Sequence, residues 1–128
     1  MTLGSGALAV CGLGCLSNCS TNNISPINVD FIIDTSQSPY TALQNVGGSI
    51  TKDAVIIART DASTFVAVAK ACTHEGTTVN FESANSRFHC PNHGANFSLT
   101  GTVTNGPANQ SLQKFNTTLT GTQLRIFS

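Results

Sequence analysis

Two short boxes of cysteine and histidine constrain this chain more than any other feature of its sequence. The first box places His74 two residues after Cys72, and the second places His93 three residues after Cys90, with fifteen residues between the boxes. Each box therefore supplies one thiolate and one imidazole. All four side chains can reach a common point only if the boxes lie on neighbouring loops that bend toward the same side. The fold must therefore bring two loops together.

Two kinds of metal centre use two thiolates and two imidazoles. Zinc binds such a set tetrahedrally, but its usual finger has both cysteines in one box and both histidines in the other. A [2Fe–2S] cluster of the Rieske type binds one iron through two cysteines and the other through two histidines, which suits mixed boxes. The mixed boxes favour the cluster, and the alternatives are zinc or an accidental grouping of core cysteines with surface histidines.

The composition limits the other possibilities. A chain of 128 residues supports one modest core and a single domain. Six basic and six acidic residues cancel, and charged residues make up only 9% of the chain, against roughly 25% in an average globular protein. We therefore expect no nucleic-acid partner. A surface built from Thr, Asn, Ser and Gly is typical of secreted or cell-surface proteins.

The amino-terminal segment, residues 1–19, is predicted to be a signal or anchor. Residues 2–17 contain no charge. As a helix they would cover about 24 Å, short of the roughly 30 Å hydrocarbon core, so a signal sequence fits better than a full membrane span. Cys19 and Cys15 both follow short apolar and small residues and are candidates for lipidation, unless they simply fill an apolar helix. Residues 20–28 are predicted to be a polar linker.

From residue 29 onward the chain changes to short runs of alternating β-branched residues separated by Gly, Asn, Asp and Pro, which predicts an all-β domain. Strands this short and numerous favour a small sandwich or barrel. His89 precedes Cys90 in one of these runs and is expected to be an ordinary strand residue. We expect strands near residues 29–33, 49–50, 54–59, 64–69, 86–89, 102–103, 112–118 and 123–127, with hairpin turns at 60–63 and 120–123.

Three segments resemble the Rieske iron–sulfur family: CTHEG at 72–76, CPNHGANF at 90–97 and GTVTNGPA at 101–108. The similarity extends from about residue 50 to residue 127. It implies an all-β, Rieske-type antiparallel β sandwich or barrel with a two-loop cluster-binding subdomain, over residues 29–128. By the same resemblance, Cys72 and Cys90 bind the buried iron of a [2Fe–2S] cluster, and His74 and His93 bind the exposed iron.

The resemblance also implies residues that surround the cluster. Gly106, Pro107 and Ala108 correspond to a proline-containing loop that covers it. Gly76 and Gly94 follow the two boxes. Residues without a Cβ let a backbone fold tightly around a cluster with its N–H groups directed at the sulfides.

The chain departs from the cytochrome bc members of that family near both boxes. Thr77 and Asn92 occupy the positions of two cysteines that join the loops in those members, so that disulfide is absent here. Ala95 and Phe97 occupy the positions of a serine and a tyrosine that donate hydrogen bonds to the cluster and its cysteine ligand. Their absence predicts a reduction potential in the lower half of the Rieske range. Glu75 replaces an apolar residue beside the first histidine, which argues against quinol oxidation.

The function implied by this resemblance is electron transfer without bond chemistry. We expect one electron to enter or leave at the exposed histidine edge of a protein that its amino terminus holds at a membrane, outside the cytoplasm. The expected partner is a redox protein such as a c-type cytochrome or a membrane or periplasmic oxidoreductase. The alternatives are a small Rieske subunit or ferredoxin of an oxidoreductase complex, arsenite oxidase-like or dioxygenase-like, or a structural or assembly subunit that carries a cluster.

Overall fold

The computed structural model describes residues 26–73, 76–108 and 110–128, which form ten strands and two short 3₁₀ helices. The predicted signal or anchor segment, and the linker up to residue 25, lie outside the described residues. The 3₁₀ helices are Thr41–Gln44 and Ser83–Asn85. The strands are β1 (Asp30–Asp34), β2 (Ser49–Lys52), β3 (Val55–Arg59), β4 (Phe65–Ala69), β5 (Asn80–Glu82), β6 (Arg87–His89), β7 (Asn96–Ser98), β8 (Val103–Asn105), β9 (Lys114–Thr120) and β10 (Gln123–Phe127).

The strands form two antiparallel sheets. The larger sheet has the order β1-β10-β9-β4-β3-β2, and the smaller has the order β5-β6-β7-β8. Strands β4 and β9 are neighbours in the larger sheet, although the whole smaller sheet lies between them in the chain. The smaller sheet is therefore an insertion between two adjacent strands. Cys72 lies just after β4 and Cys90 just after β6, so this insertion carries both boxes.

Strand β3 explains how the insertion packs on the larger sheet. Its residues Val55, Ile56, Ile57 and Ala58 are all buried, which a strand achieves only when both of its faces are covered. Val55 and Ile57 pack with the buried side chains of the larger sheet. Ile56 and Ala58 instead join a second buried cluster, which we call the site cluster. Its buried members are Ile56, Ala58, Val68, Cys72, Val79, Phe88, Cys90, Ala95, Phe97, Ala108 and Leu112.

The predicted all-β, antiparallel Rieske-type fold is confirmed. The eight predicted strands form within two residues of their expected bounds, and both predicted hairpins connect antiparallel neighbours. Strands β5 and β7 were not predicted from the sequence. Each has three residues, as do the predicted strands β6 and β8, but each is a single Phe between polar residues and begins with Asn, which is depleted in strands. Within the part of the chain that the structure describes, no helix has the length and hydrophobicity needed to cross a membrane.

Candidate metal centre

The first box forms a loop that its own backbone closes. The amide of Cys72 donates a hydrogen bond to the carbonyl of Thr77, with 2.7 Å between nitrogen and oxygen. The amide of Gly76 donates to the carbonyl of Cys72, also at 2.7 Å. Just outside this pair, Ala71 and Thr78 form an antiparallel bridge. The loop therefore begins and ends at neighbouring points, with Cys72 at its base.

The second box closes in the same way, eighteen residues later in the chain. The amide of Cys90 donates to the carbonyl of Ala95 at 2.8 Å, and the amide of Gly94 donates to the carbonyl of Cys90 at 3.1 Å. In both loops the cysteine amide bonds to the carbonyl five residues on, and the amide four residues on bonds back to the cysteine carbonyl. The two boxes are thus matched loops, although one has the histidine two residues after the cysteine and the other three.

The backbone conformation requires glycine four residues after the cysteine in each loop. Gly76 has φ of 80° and Gly94 has φ of 84°, in the left-handed region that costs other residues roughly 1–2 kcal/mol. A Cβ built on either residue would meet no heavy atom of the protein within 4 Å, so crowding by the protein is not the reason for glycine. Glycine at this spacing adopts the positive φ with which its amide reaches the cysteine carbonyl and closes the loop.

Burial separates the two kinds of donor side chain. Cys72 is 2% exposed and Cys90 is 1% exposed, both thiols belong to the site cluster, and neither is in a disulfide. His93 is exposed at the surface. The sulfur donors therefore lie in an apolar interior, whereas the imidazole of the second box faces solvent.

His74 and Glu75 lie outside the described residues, so the structure places three of the four predicted ligands. Among the residues that it does describe, no three side chains of His, Cys, Asp or Glu are grouped closely enough to hold a metal ion.

The third histidine, His89, has a different environment. It is the last residue of β6, directly opposite Asn96 of β7 in the strand register. Its Nδ1 lies 2.6 Å from Oδ1 of Asn96, and the side chain is half-buried. This cross-strand hydrogen bond occupies one ring nitrogen, in agreement with the expectation of an ordinary strand residue.

The segment after β8 lies beside both loops. Gly106 and Pro107 are exposed, whereas Ala108 is 5% exposed and packs in the site cluster with both cysteines. Two side-chain hydrogen bonds flank this segment. Nδ2 of Asn105 donates to the carbonyl of Gly94 at 3.2 Å, and Oγ1 of Thr73 donates to the carbonyl of Gln110 at 2.6 Å.

Asn105 and Thr73 were not among the residues singled out from the sequence. Their partners are eleven and thirty-seven residues away in the chain. No local sequence pattern marks such contacts. The repeated Asn and Thr of the segment GTVTNGPA give at most a weak signal that polar side chains lie near the predicted cover.

Ala95 and Phe97 are both completely buried in the site cluster. Phe97 lies opposite Phe88 on one side and Val103 on the other in the strand register. Ala95 is tied to Cys90 through its carbonyl. The two positions without a hydroxyl therefore belong to the same buried region as the thiols.

Charge is sparse around the loops. Residues 88–113 contain no Asp, Glu, Lys or Arg. Among the described residues of the insertion, Glu82 and Arg87 form an ion pair, with 2.8 Å between Oε1 and Nε. Hydrogen bonds from Arg87 and then from Asn85 hold the pKa of Glu82 below its ordinary value. The charges of the described insertion are thus confined to β5 and the start of β6, apart from Lys70 at its beginning.

Comparison with known families decides the assignment. A family model described as the Rieske [2Fe–2S] domain matches residues 32–116, which is well over half of the chain. The chain belongs to the Rieske [2Fe–2S] family. Its cofactor is accordingly a [2Fe–2S] cluster, and members of the family are electron carriers.

The similar proteins include a subunit of a cytochrome b6-f complex and a plasma membrane Rieske protein. The cytochrome b6-f complex iron-sulfur subunit of Chlorobaculum thiosulfatiphilum is 37% identical over 60 residues, 47% of this chain but only 33% of that protein. The crystal structure of the plasma membrane Rieske protein PetC3 from Synechocystis PCC 6803 is 32% identical with a TM-score of 0.55, and the match covers 63% of this chain and 85% of that one.

A more distant structure shares the fold alone. The ferredoxin of carbazole 1,9a-dioxygenase from Nocardioides aromaticivorans IC177 is 21% identical, with a TM-score of 0.58 over 65% of this chain and 86% of that one. The Rieske domain of this chain thus has the fold of both a membrane-associated protein and a dioxygenase ferredoxin, so the fold does not distinguish between those two roles.

Proposed function

We propose that this Rieske domain is a one-electron carrier whose cluster is held by Cys72 and Cys90 on the buried iron and by His74 and His93 on the exposed iron. The observation that carries the proposal is the matched pair of loops, each closed by the same two backbone hydrogen bonds around a buried cysteine. When bound, the cluster supplies one-electron oxidation and reduction. The donor set fits this group, because the two thiols share one apolar cluster and His93 lies at the surface.

The chain's own residues then determine where a partner binds. The exposed imidazole of His93 marks the edge at which a redox partner can approach, next to Pro91, Asn92 and Gly106, which are also exposed. Since residues 88–113 contain no charged side chain apart from histidine, this surface offers amide and apolar groups. Glu75, beside His74, is the one Asp, Glu, Lys or Arg within either box, so long-range charge steering, which raises association rates at low salt, has little to act on here.

We further propose that the domain is held at the outer face of a membrane by residues 1–19, through residues 20–28. Three observations support this: the uncharged amino-terminal segment with its candidate lipidation sites Cys15 and Cys19, the low content of charged residues, and the similarity to a plasma membrane Rieske protein. A c-type cytochrome or a membrane or periplasmic oxidoreductase is the expected partner.

The tether is tested by comparing the full chain with a chain that begins at Thr21. We expect the full chain to fractionate with membranes, and the shorter chain to be soluble and still to bind the cluster. Mass spectrometry of the native amino terminus, with Cys19→Ser and Cys15→Ser as a matched pair, identifies a lipidated residue. If the chain beginning at Thr21 stayed in the membrane fraction after a high-salt wash, the proposed tether would be wrong. A shorter chain that lost its colour would instead contradict the cluster assignment, whichever fraction contained it.

A second candidate is a dedicated small subunit or ferredoxin of an oxidoreductase complex, arsenite oxidase-like or dioxygenase-like. It is favoured by Thr77 and Asn92, which leave the two loops without the disulfide of the cytochrome bc members. Purification of the native protein under mild conditions separates the two candidates. A dedicated subunit copurifies with a larger oxidoreductase in fixed proportion, and a mobile carrier does not.

A further inference from the structure

We propose that Asn105 and Thr73 are positioning residues that brace the cover segment, Gly106–Ala108, across both cysteine loops. The inference rests on the proposed ligand set and extends it to the residues that hold the two loops together. Its basis is a hydrogen bond between each loop and a residue that flanks the cover segment, Gly94 with Asn105 and Thr73 with Gln110, together with the burial of Ala108 in the site cluster.

The Asn105 end of the brace acts on the closing point of the second loop. Asn105 is the last residue of β8 and lies opposite Asn96 of β7, so its backbone position is set by the smaller sheet. Its side-chain amide donates to the carbonyl of Gly94. Gly94 is the residue whose own amide closes the loop onto Cys90. The side chain of Asn105 thus fixes the peptide between Gly94 and Ala95, one residue beyond the exposed His93.

The Thr73 end acts on the first loop. Its hydroxyl donates to the carbonyl of Gln110 at 2.6 Å in a partly buried position, and Thr73 directly follows Cys72. Between the two ends, Ala108 is buried in the site cluster with both cysteines. The cover segment therefore lies between two hydrogen bonds to the loops, made by Asn105 before it and by Gln110 after it, and its Ala108 packs in the site cluster.

Within the residues that the structure describes, no disulfide offers a covalent alternative to this brace. After residue 19, the only cysteines in the sequence are Cys72 and Cys90, and neither is in a disulfide. If both bind iron, no other thiol among the described residues remains to cross-link the loops. The relative position of the loops then depends on the cluster itself, on packing, on the backbone pairing of the smaller sheet, and on the hydrogen bonds of Asn105 and Thr73.

The two hydrogen bonds act in series, and this gives the proposal a specific signature. Breaking either one interrupts the side-chain bridge between the loops, although β8 stays paired with β7, so the second break should add little. We expect Asn105→Ala and Thr73→Val each to accelerate loss of the cluster to excess chelator by about 2- to 12-fold, the range that one net hydrogen bond supplies. The double variant should resemble the more affected single variant, and the two effects should not multiply.

The experiment uses the cluster-loaded full chain and follows bleaching of its visible absorption under chelator. Thr73→Ser, which keeps the hydroxyl, should restore the wild-type rate, and Asn105→Asp, which keeps the shape but removes the donor, should not. The control is Asn116→Ala, an exposed asparagine on β9 of the larger sheet. A positioning role also predicts a shifted or broadened electron paramagnetic resonance spectrum of the reduced cluster in the two brace variants, with the control unchanged.

Several outcomes would overturn the brace. Bleaching rates equal to wild type in both single variants would do so, as would effects that multiply in the double variant or a Thr73→Ser rate equal to that of Thr73→Val. A wild-type chain that binds no cluster is a separate result, because it contradicts the proposed function itself. A wild-type chain that binds the cluster, with Asn105→Ala bleaching at the same rate, contradicts the brace alone.

Discussion

Replacing Ala95 by serine and Phe97 by tyrosine should raise the reduction potential of the cluster. Both side chains are completely buried in the site cluster that contains Cys72 and Cys90. The carbonyl of residue 95 also accepts a hydrogen bond from the amide of Cys90 at 2.8 Å. A hydroxyl added at either position therefore enters the buried region around the thiols. Donors to sulfur stabilise the additional negative charge of the reduced state, which raises the potential.

The magnitude follows from the selectivity of such a bond for the reduced state. A hydrogen bond to a charged group contributes about 1.5–3 kcal/mol, but only the difference between the two redox states affects the potential. If about 1–2 kcal/mol of each bond is selective, each hydroxyl raises the potential by about 40–90 mV, because a tenfold change in a one-electron equilibrium is about 59 mV. The double variant should rise by roughly the sum.

Protein-film voltammetry or a redox titration followed by circular dichroism measures these potentials. The matched control is Ala67→Ser, another completely buried alanine, which packs in the larger-sheet cluster and not with the cysteines. It should lower the free energy of unfolding and leave the potential unchanged. If neither Ala95→Ser nor Phe97→Tyr raised the potential while the cluster stayed intact, the reasoning would be refuted. A wild-type value near the top of the roughly −150 to +300 mV Rieske span would refute it as well.

Two further predictions concern the loops and the docking surface. Gly94→Ala should lower the free energy of unfolding by about 1–2 kcal/mol because φ is positive there, and it should also accelerate cluster loss. Gly121→Ala, at a positive φ in the turn between β9 and β10, should lower stability without accelerating cluster loss; equal cluster loss in both would contradict a specific role for Gly94. Association with the redox partner, measured by stopped-flow electron transfer, should change by less than about threefold between 50 and 500 mM salt, since residues 88–113 contain no Asp, Glu, Lys or Arg and Glu75 is the one such residue within either box, and a tenfold decrease would contradict that account.

The sequence predicted the longer strands, whose alternating residues show a period, and also the short strands β6 and β8. Strand β10 formed with its predicted bounds, because Leu124 and Ile126 are buried and their neighbours Gln123 and Arg125 are exposed. The three-residue strands β5 and β7 could not be predicted in this way. They form because β6 lies between them and pairs with both, which depends on the tertiary arrangement of the insertion.

The site shows the same division between local and tertiary information. The cysteines, histidines and loop glycines could be chosen from the sequence because ligand chemistry and tight loops require those residue types at short spacings. The ligand set itself remains a prediction, since His74 lies outside the described residues. The contacts of Asn105 and Thr73 could not be chosen, because asparagine and threonine occur throughout the chain and their partners become neighbours only after the insertion has folded.

The ligand set can be tested directly by pulsed electron paramagnetic resonance of the reduced cluster in protein labelled with ¹⁵N at histidine. The account predicts couplings from two histidine nitrogens in the wild-type chain. In His74→Cys and in His93→Cys, one of the two couplings should be lost or the cluster should fail to bind. His89→Ala should retain both couplings. A coupling lost in His89→Ala and kept in His93→Cys would contradict the proposed ligands, and so would a colourless protein that binds only stoichiometric zinc after anaerobic iron reconstitution.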